Sequence, residues 1–111
     1  MSKRSEALYI QDIHDAISKI EEYVDGVSYE DMCHNSMLVD AIVRNLTIIG
    51  EAAARLSEEY KEQNSHIPWS EIIGMRNKVV HEYFGIDEEI LWKTVTDDIL
   101  TLKQYFESSK K

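Results

Sequence analysis

The run Asn35-Ser36-Met37-Leu38-Val39-Asp40-Ala41-Ile42-Val43-Arg44-Asn45-Leu46-Thr47-Ile48-Ile49-Gly50-Glu51-Ala52-Ala53-Ala54-Arg55 decides the fold class. Leu38, Ala41, Ile42, Asn45, Ile49, Ala52, Leu56 and Tyr60 recur at steps of three and four. That is the period of one side of an α-helix, not the alternation of a strand. The pattern predicts a long helix from about Asn35 to Glu62, roughly 28 residues and 40 Å at 1.5 Å per residue. Gly50 and the alanines at 52 to 54 let another backbone come close in its middle, from this chain or from a second copy.

Working outward, Tyr9, Ile13, Ile17, Ile20 and Val24 predict a first helix over about residues 5 to 25, with Gly26 just beyond its end. Ser28 followed by Asp31 reads as a capping box opening a short helical turn. Pro68 suits the first turn of a third helix carrying Trp69, Ile72, Ile73, Val79 and Val80. Gly85 to Asp87 interrupts the chain, and Leu91, Val95, Ile99, Leu102 and Phe106 mark a last helix from about Glu88 to Phe106. Only four Gly and one Pro are present, and no strand pattern of useful length appears. The expectation is a single all-α domain over residues 1–111, an up-down bundle of four main helices plus the short turn, with antiparallel neighbours.

Composition narrows the function classes. At 111 residues the chain is one ordinary domain. It contains 43% apolar residues and no apolar run long enough to span a bilayer. No secretory leader is visible at Met1-Ser2-Lys3-Arg4, and Cys33 is alone, so the expected setting is the reducing cytoplasm. Twelve Lys and Arg against 21 Asp and Glu give a net charge of −9, a surface that repels polyanions. A protein acting on nucleic acid would have to concentrate its cations in one cleft.

The chemistry-bearing stretch is Gly74-Met75-Arg76-Asn77-Lys78-Val79-Val80-His81-Glu82-Tyr83. Continued as one helix, it nearly aligns Arg76 with Tyr83 and makes Asn77 and His81 neighbours four apart. Arg76 would then sit in the stripe Ile72, Arg76, Val79, Tyr83, where a desolvated guanidinium needs an anionic partner or a phosphate. Simpler accounts exist for each residue. Arg76 would pair with a carboxylate such as Glu51, His81 would favour a helix C-terminus, and Tyr83 would close the core beside Phe84. The polar stripe Asp40, Arg44, Thr47, Glu51, Arg55 would be a solvated face whose ion pairs contribute about 0.3–0.5 kcal/mol each.

At this stretch the chain resembles the HEPN-domain ribonucleases, and within them the HepT-type toxins. Arg76 and His81 reproduce the Arg, four residues, His spacing, and Tyr83 the His-x-Tyr ending. Ile49-Gly50-Glu51-Ala52-Ala53, Ile67-Pro68-Trp69 and Ile86-Asp87 to Leu91-Trp92 are similar in order and spacing, so the resemblance spans nearly the whole chain. It implies a metal-independent endoribonuclease toxin acting on RNA, tRNA among the candidates, with its cleft at a homodimer interface. It also implies neutralisation by a minimal nucleotidyltransferase antitoxin of the MntA type. Arg76 and His81 would be catalytic, Asn77 the polar residue following the Arg, and Tyr83 the tyrosine the antitoxin modifies with AMP.

The residue chemistry agrees. Cleaving RNA through its own 2'-hydroxyl needs proton transfer at two oxygens and positive charge on the phosphorane. Imidazole suits the first task near neutral pH, and a guanidinium suits the second. Asn77 would orient His81 or the phosphate. Glu51 would position Arg76 from behind, and Arg44 and Lys78 would complete a basic patch around the cleft. AMP on Tyr83 would set a bulky anion beside Arg76 and obstruct entry. No metal or cofactor is expected: His14, His34, His66 and His81 are scattered, and no Gly-rich phosphate loop exists. The alternative is a catalytically silent module that holds a nucleotide or a substrate for the partner nucleotidyltransferase.

Overall fold

Helix α1 runs Glu6–Val24 and opens on Ser5, whose Oγ accepts from the Leu8 N–H. The capping box at Ser28 and Asp31 is present and starts the short α2, Tyr29–Cys33. Asn35 caps α3, Ser36–Arg55, through a 3.0 Å bond from the Leu38 N–H to its Oδ1. These caps satisfy backbone donors that the first turn of a helix leaves without partners. A computed structural model describes residues 5–81 and 85–109 of this architecture; the side chains of His81, Ser108 and Ser109 fall outside that description.

The long second helix of the expectation is divided. Leu56 turns to extended backbone, and Ser57 caps a separate α4, Glu58–Gln63, by accepting from the Tyr60 N–H at 3.0 Å. The Ser57 N–H in turn donates to Glu6 Oε1 at 2.7 Å, so α3 ends beside the start of α1 and the two helices are antiparallel. At 20 residues, α3 spans roughly 30 Å.

Ile13, Ile17 and Ile20 of α1 are fully buried with Ile42, Leu46, Ile49 and Ala53 of α3. Each buried isoleucine contributes about 1.5–3 kcal/mol of transfer free energy. The third wall is the C-terminal helical run: α7 Glu88–Lys93, a π-helical turn Thr94–Asp98, and α8 Ile99–Ser109. Lys103 pairs with Glu21 at 3.2 Å and Phe106 meets the His14 ring edge-on at 6.1 Å, which sets α8 antiparallel to α1. The π turn answers a register problem. Leu91, Val95 and Ile99 step by four twice, which drifts off a 3.6-residue period, and the wider turn absorbs the excess. Thr94 Oγ1 donates back to the Ile90 carbonyl and Thr96 Oγ1 to that of Trp92, each at 2.8 Å, bonds that bend a helix locally.

Between α4 and α7 the chain is broken into small pieces: α5 Trp69–Ile73, α6 Met75–Val79, and a two-residue antiparallel pairing of β1 Val80–His81 with β2 Gly85–Ile86. The Trp69 indole N–H donates to the carbonyls of Lys61 and Asn64, tying α5 to the end of α4. All-α is thus the fold class, with this bridge as its exception among the described residues. None of the helices described there is long and apolar enough to cross a membrane.

Candidate active site

One glycine sets the site's geometry. A Cβ at Gly50 would lie 2.9 Å from the Ile73 carbonyl oxygen, closer than real Cβ contacts come, so only glycine lets the end of α5 rest on the middle of α3. The close approach anticipated at Gly50 is therefore used within the chain. Directly after this contact Gly74 ends α5 and opens α6. That junction turns α6 so that Met75 and Val79 are buried while Arg76, Asn77 and Lys78 are exposed.

This corrects the single-helix reading of the motif in two ways. Arg76 does not occupy a buried stripe, because the break at Gly74 resets the helical phase; its guanidinium is solvated and needs no buried counter-ion. The helix also stops at Val79. Val80 is extended and pairs with Ile86, His81 pairs with Gly85, and the Asp87 N–H donates to the Val79 carbonyl at 2.7 Å. Consecutive β-branched valines fit that extended exit, and Gly85 supplies the positive φ of 81° that the return needs. Asn77 and His81 are consequently not helical neighbours one turn apart. The backbone of His81 starts the bridge; its side chain, and all of Glu82, Tyr83 and Phe84, lie outside the described residues.

Arg76 and Asn77 face α3 across an open cleft of about 440 Å³ walled by Thr47, Gly50, Glu51, Ala54 and Ile73. Arg76 Nη1 donates to Asn77 Oδ1 at 3.4 Å, and among the described residues nothing else takes the rest of the guanidinium fork or the Asn77 amide N–H groups. Glu51 shares the cleft, yet it forms no ion pair with Arg76 among the described residues. The structural ion pair that would have explained Arg76 without a function is absent there. Thr47 Oγ1 is held by the Val43 carbonyl at 3.0 Å, and Ile73 is 38% exposed at the rim.

The cations expected around one cleft are spread over three places. Arg76 lines it, whereas Arg44 lies on the exposed face of α3, one turn before Thr47. Lys78, two residues from Arg76 and so about 200° around α6, lines a separate cleft on the far side. Two wall residues are not singled out by the sequence. Ile73 reads there as core and Thr47 only as part of a solvated stripe, although Thr47 and Glu51 bracket Gly50 on α3 and thereby frame it.

A family model described as "Ribonuclease HepT-like" matches residues 13–109. A "Probable ribonuclease HepT" of Thermococcus cleftensis is 42% identical over 109 residues, covering 98% of this chain and 99% of that protein. A "Putative RNase MJ1380" of Methanocaldococcus jannaschii is 36% identical over 96% of this chain and 98% of its own length. A "Putative RNase TTE0752" of Caldanaerobacter subterraneus subsp. tengcongensis is 42% identical over 86% of each. No solved structure matches the chain. With Arg76 and Asn77 presented at an open cleft and His81 following at the motif's spacing, the chain belongs to the HepT-like ribonuclease family.

Proposed function

We propose that this chain is the ribonuclease toxin of a toxin-antitoxin pair, a metal-independent endoribonuclease that cuts RNA at the Arg76–Asn77 cleft. The observation that carries the reading is the exposure of Arg76 beside Asn77 in a cleft large enough for a ribose-phosphate, with no carboxylate claiming the guanidinium among the described residues. Arg76 holds two phosphoryl oxygens and stabilises the charge that develops on them. His81 transfers a proton. The 2'-oxygen attacks phosphorus after losing its proton to a base, the bond to the 5'-oxygen breaks, and that oxygen leaves with a proton from an acid. The products are a 2',3'-cyclic phosphate and a 5'-hydroxyl. Each chain carries one motif and one His81, so a homodimer with the clefts at its twofold seam supplies both the base and the acid. Glu51, opposite Arg76, orients the guanidinium when substrate enters.

The regulation we propose rests on the family resemblance. A minimal nucleotidyltransferase antitoxin adding AMP to Tyr83, two residues past His81, introduces an anion that competes with substrate for Arg76. The cytoplasm is the compartment where both the RNA and the lone thiol of Cys33 fit.

The test is cleavage of a structured RNA in EDTA by the wild-type chain, Arg76→Ala and His81→Ala. Each variant is expected to lose about 10²- to 10⁴-fold. Activity unchanged in both would reject the site. Intact RNA together with nucleotide binding in the cleft would instead favour the silent binding module.

A further inference from the structure

The cleft on the far side of α6 has a composition that the cutting site does not use. It is about 230 Å³ and lies between α5–α6 and the π-helical turn. Two cations, Lys78 and Lys93, and two carboxylates, Glu71 and Asp98, line it, and none of the four forms an ion pair among the described residues. Its floor is apolar, from buried Ile72 and Met75.

The π turn is what assembles it. In an α-helix, residues five apart such as Lys93 and Asp98 stand about 140° apart around the axis. The wider π turn, closed by the Ile99 N–H on the Thr94 carbonyl, swings them toward the same side, and both line this cleft. Such turns recur at functional sites.

We propose that this cleft binds a ribonucleotide of the same RNA strand, flanking the one cut at Arg76. The inference rests on the ribonuclease reading above. Separated lysines suit the oxygens of one phosphate, carboxylates accept hydrogen bonds from ribose hydroxyls, and the apolar floor takes the edge of a base. A purely anionic ligand would be repelled by Glu71 and Asp98; a ribose-phosphate uses both signs of charge, and its 2'-hydroxyl is what distinguishes RNA from DNA. Arg76, Asn77 and Lys78 form one continuous exposed arc, so a single strand crossing α6 reaches both clefts over about 10 Å, the width of one helix. A chain of charge −9 thereby gathers RNA through two local contacts instead of a general basic surface.

The experiment measures binding and cutting separately. Fluorescence anisotropy of a labelled 12-mer RNA, and of the same strand fully 2'-deoxy, is followed over a salt series with the full chain carrying His81→Ala to block turnover. Adding Lys78→Ala and Lys93→Ala is expected to weaken RNA binding at least tenfold and to reduce the salt slope by about 0.7 for each phosphate no longer neutralised. Adding Glu71→Gln and Asp98→Asn is expected to erase most of the preference for RNA over the deoxy strand. Wild-type affinity and slope in the double lysine variant, with unchanged thermal melting, would overturn the subsite. So would an undiminished RNA preference in the carboxylate variant. Cutting by the parent chain is assayed in parallel. Cutting of RNA with no effect from the lysines defeats the subsite alone. Lysine-dependent binding to RNA that is never cut defeats the ribonuclease reading and leaves the subsite standing. Failure to bind RNA defeats both.

Discussion

Helix α3 and the segment α5–α6–β1 are in contact, yet they are built on opposite plans. α3 is 20 residues long, is capped by Asn35, and buries Ile42, Leu46, Ile49 and Ala53. α5 and α6 are five residues each, begin at Pro68 and Gly74 without any side-chain cap bond, and expose Arg76, Asn77 and Lys78. A long helix with a buried stripe is stabilised by its own packing. Five-residue helices are not, so this segment keeps its shape through contacts from outside itself: α3 at Gly50, buried Ile72, Met75 and Val79, the Trp69 bonds to α4, and the pairing of Val80 with Ile86. Stability is supplied by one region and the proposed chemistry is carried by the other, with Gly50 as the joint.

Substitution at that joint separates the two roles most forcefully. Gly50→Ala gains up to about 1 kcal/mol of helix propensity, but it forces a methyl against the Ile73 carbonyl, a backbone atom unable to rotate away. Overpacking of this kind costs about 1–3 kcal/mol, so a net loss in thermal stability is expected, measured by circular dichroism. RNA cleavage below the melting temperature should fall much further, about 10²-fold, because displacing α6 by an ångström misplaces Arg76. Full activity in a destabilised Gly50→Ala chain would break the comparison.

Asn35→Ala tests the converse. Losing the cap of α3 is expected to cost about 1 kcal/mol in urea unfolding and to leave the rate of RNA cleavage unaltered at temperatures where the chain is folded. A rate that falls in proportion would show that the site is not insulated from its platform.

The smallest effect concerns Glu6. Hydrogen bonds from the Ser57 hydroxyl and its backbone N–H hold the Glu6 carboxyl below the ordinary 4.5. A depressed folded-state pKa adds stability that is present above the unfolded value and is lost as pH falls through the folded one. Glu6→Gln should therefore lower the urea midpoint slightly at pH 7, and the gap from wild type should close as pH drops below about 4.5. A gap that widens in acid would contradict this assignment.

The same division explains what the sequence reveals. α1, the Ser28–Asp31 box, α3 and the C-terminal run are legible because their periodicity and caps are local properties. The break at Ser57 is also encoded, since Ser57-Glu58-Glu59 is a helix-start pattern, but the apolar step from Leu56 to Tyr60 continues the preceding stripe and masks it. The end of α6 at Val79 is not local at all. It depends on Val80 pairing with Ile86, six residues further along the chain, and helical spacing therefore carries the motif too far. At the site, Arg76, Asn77 and Glu51 can be picked out by residue type and spacing, and they share one cleft. Lys93 cannot, because only the π turn brings it to the side of Lys78.

The nature of the cut ends tests the central claim most directly. Purified wild-type chain should cut RNA in EDTA, with mass spectrometry finding a 2',3'-cyclic phosphate on one product and a 5'-hydroxyl on the other. Products ending in 3'-hydroxyl and 5'-phosphate, or cutting that disappears with EDTA, would contradict proton transfer by His81 with charge stabilisation by Arg76.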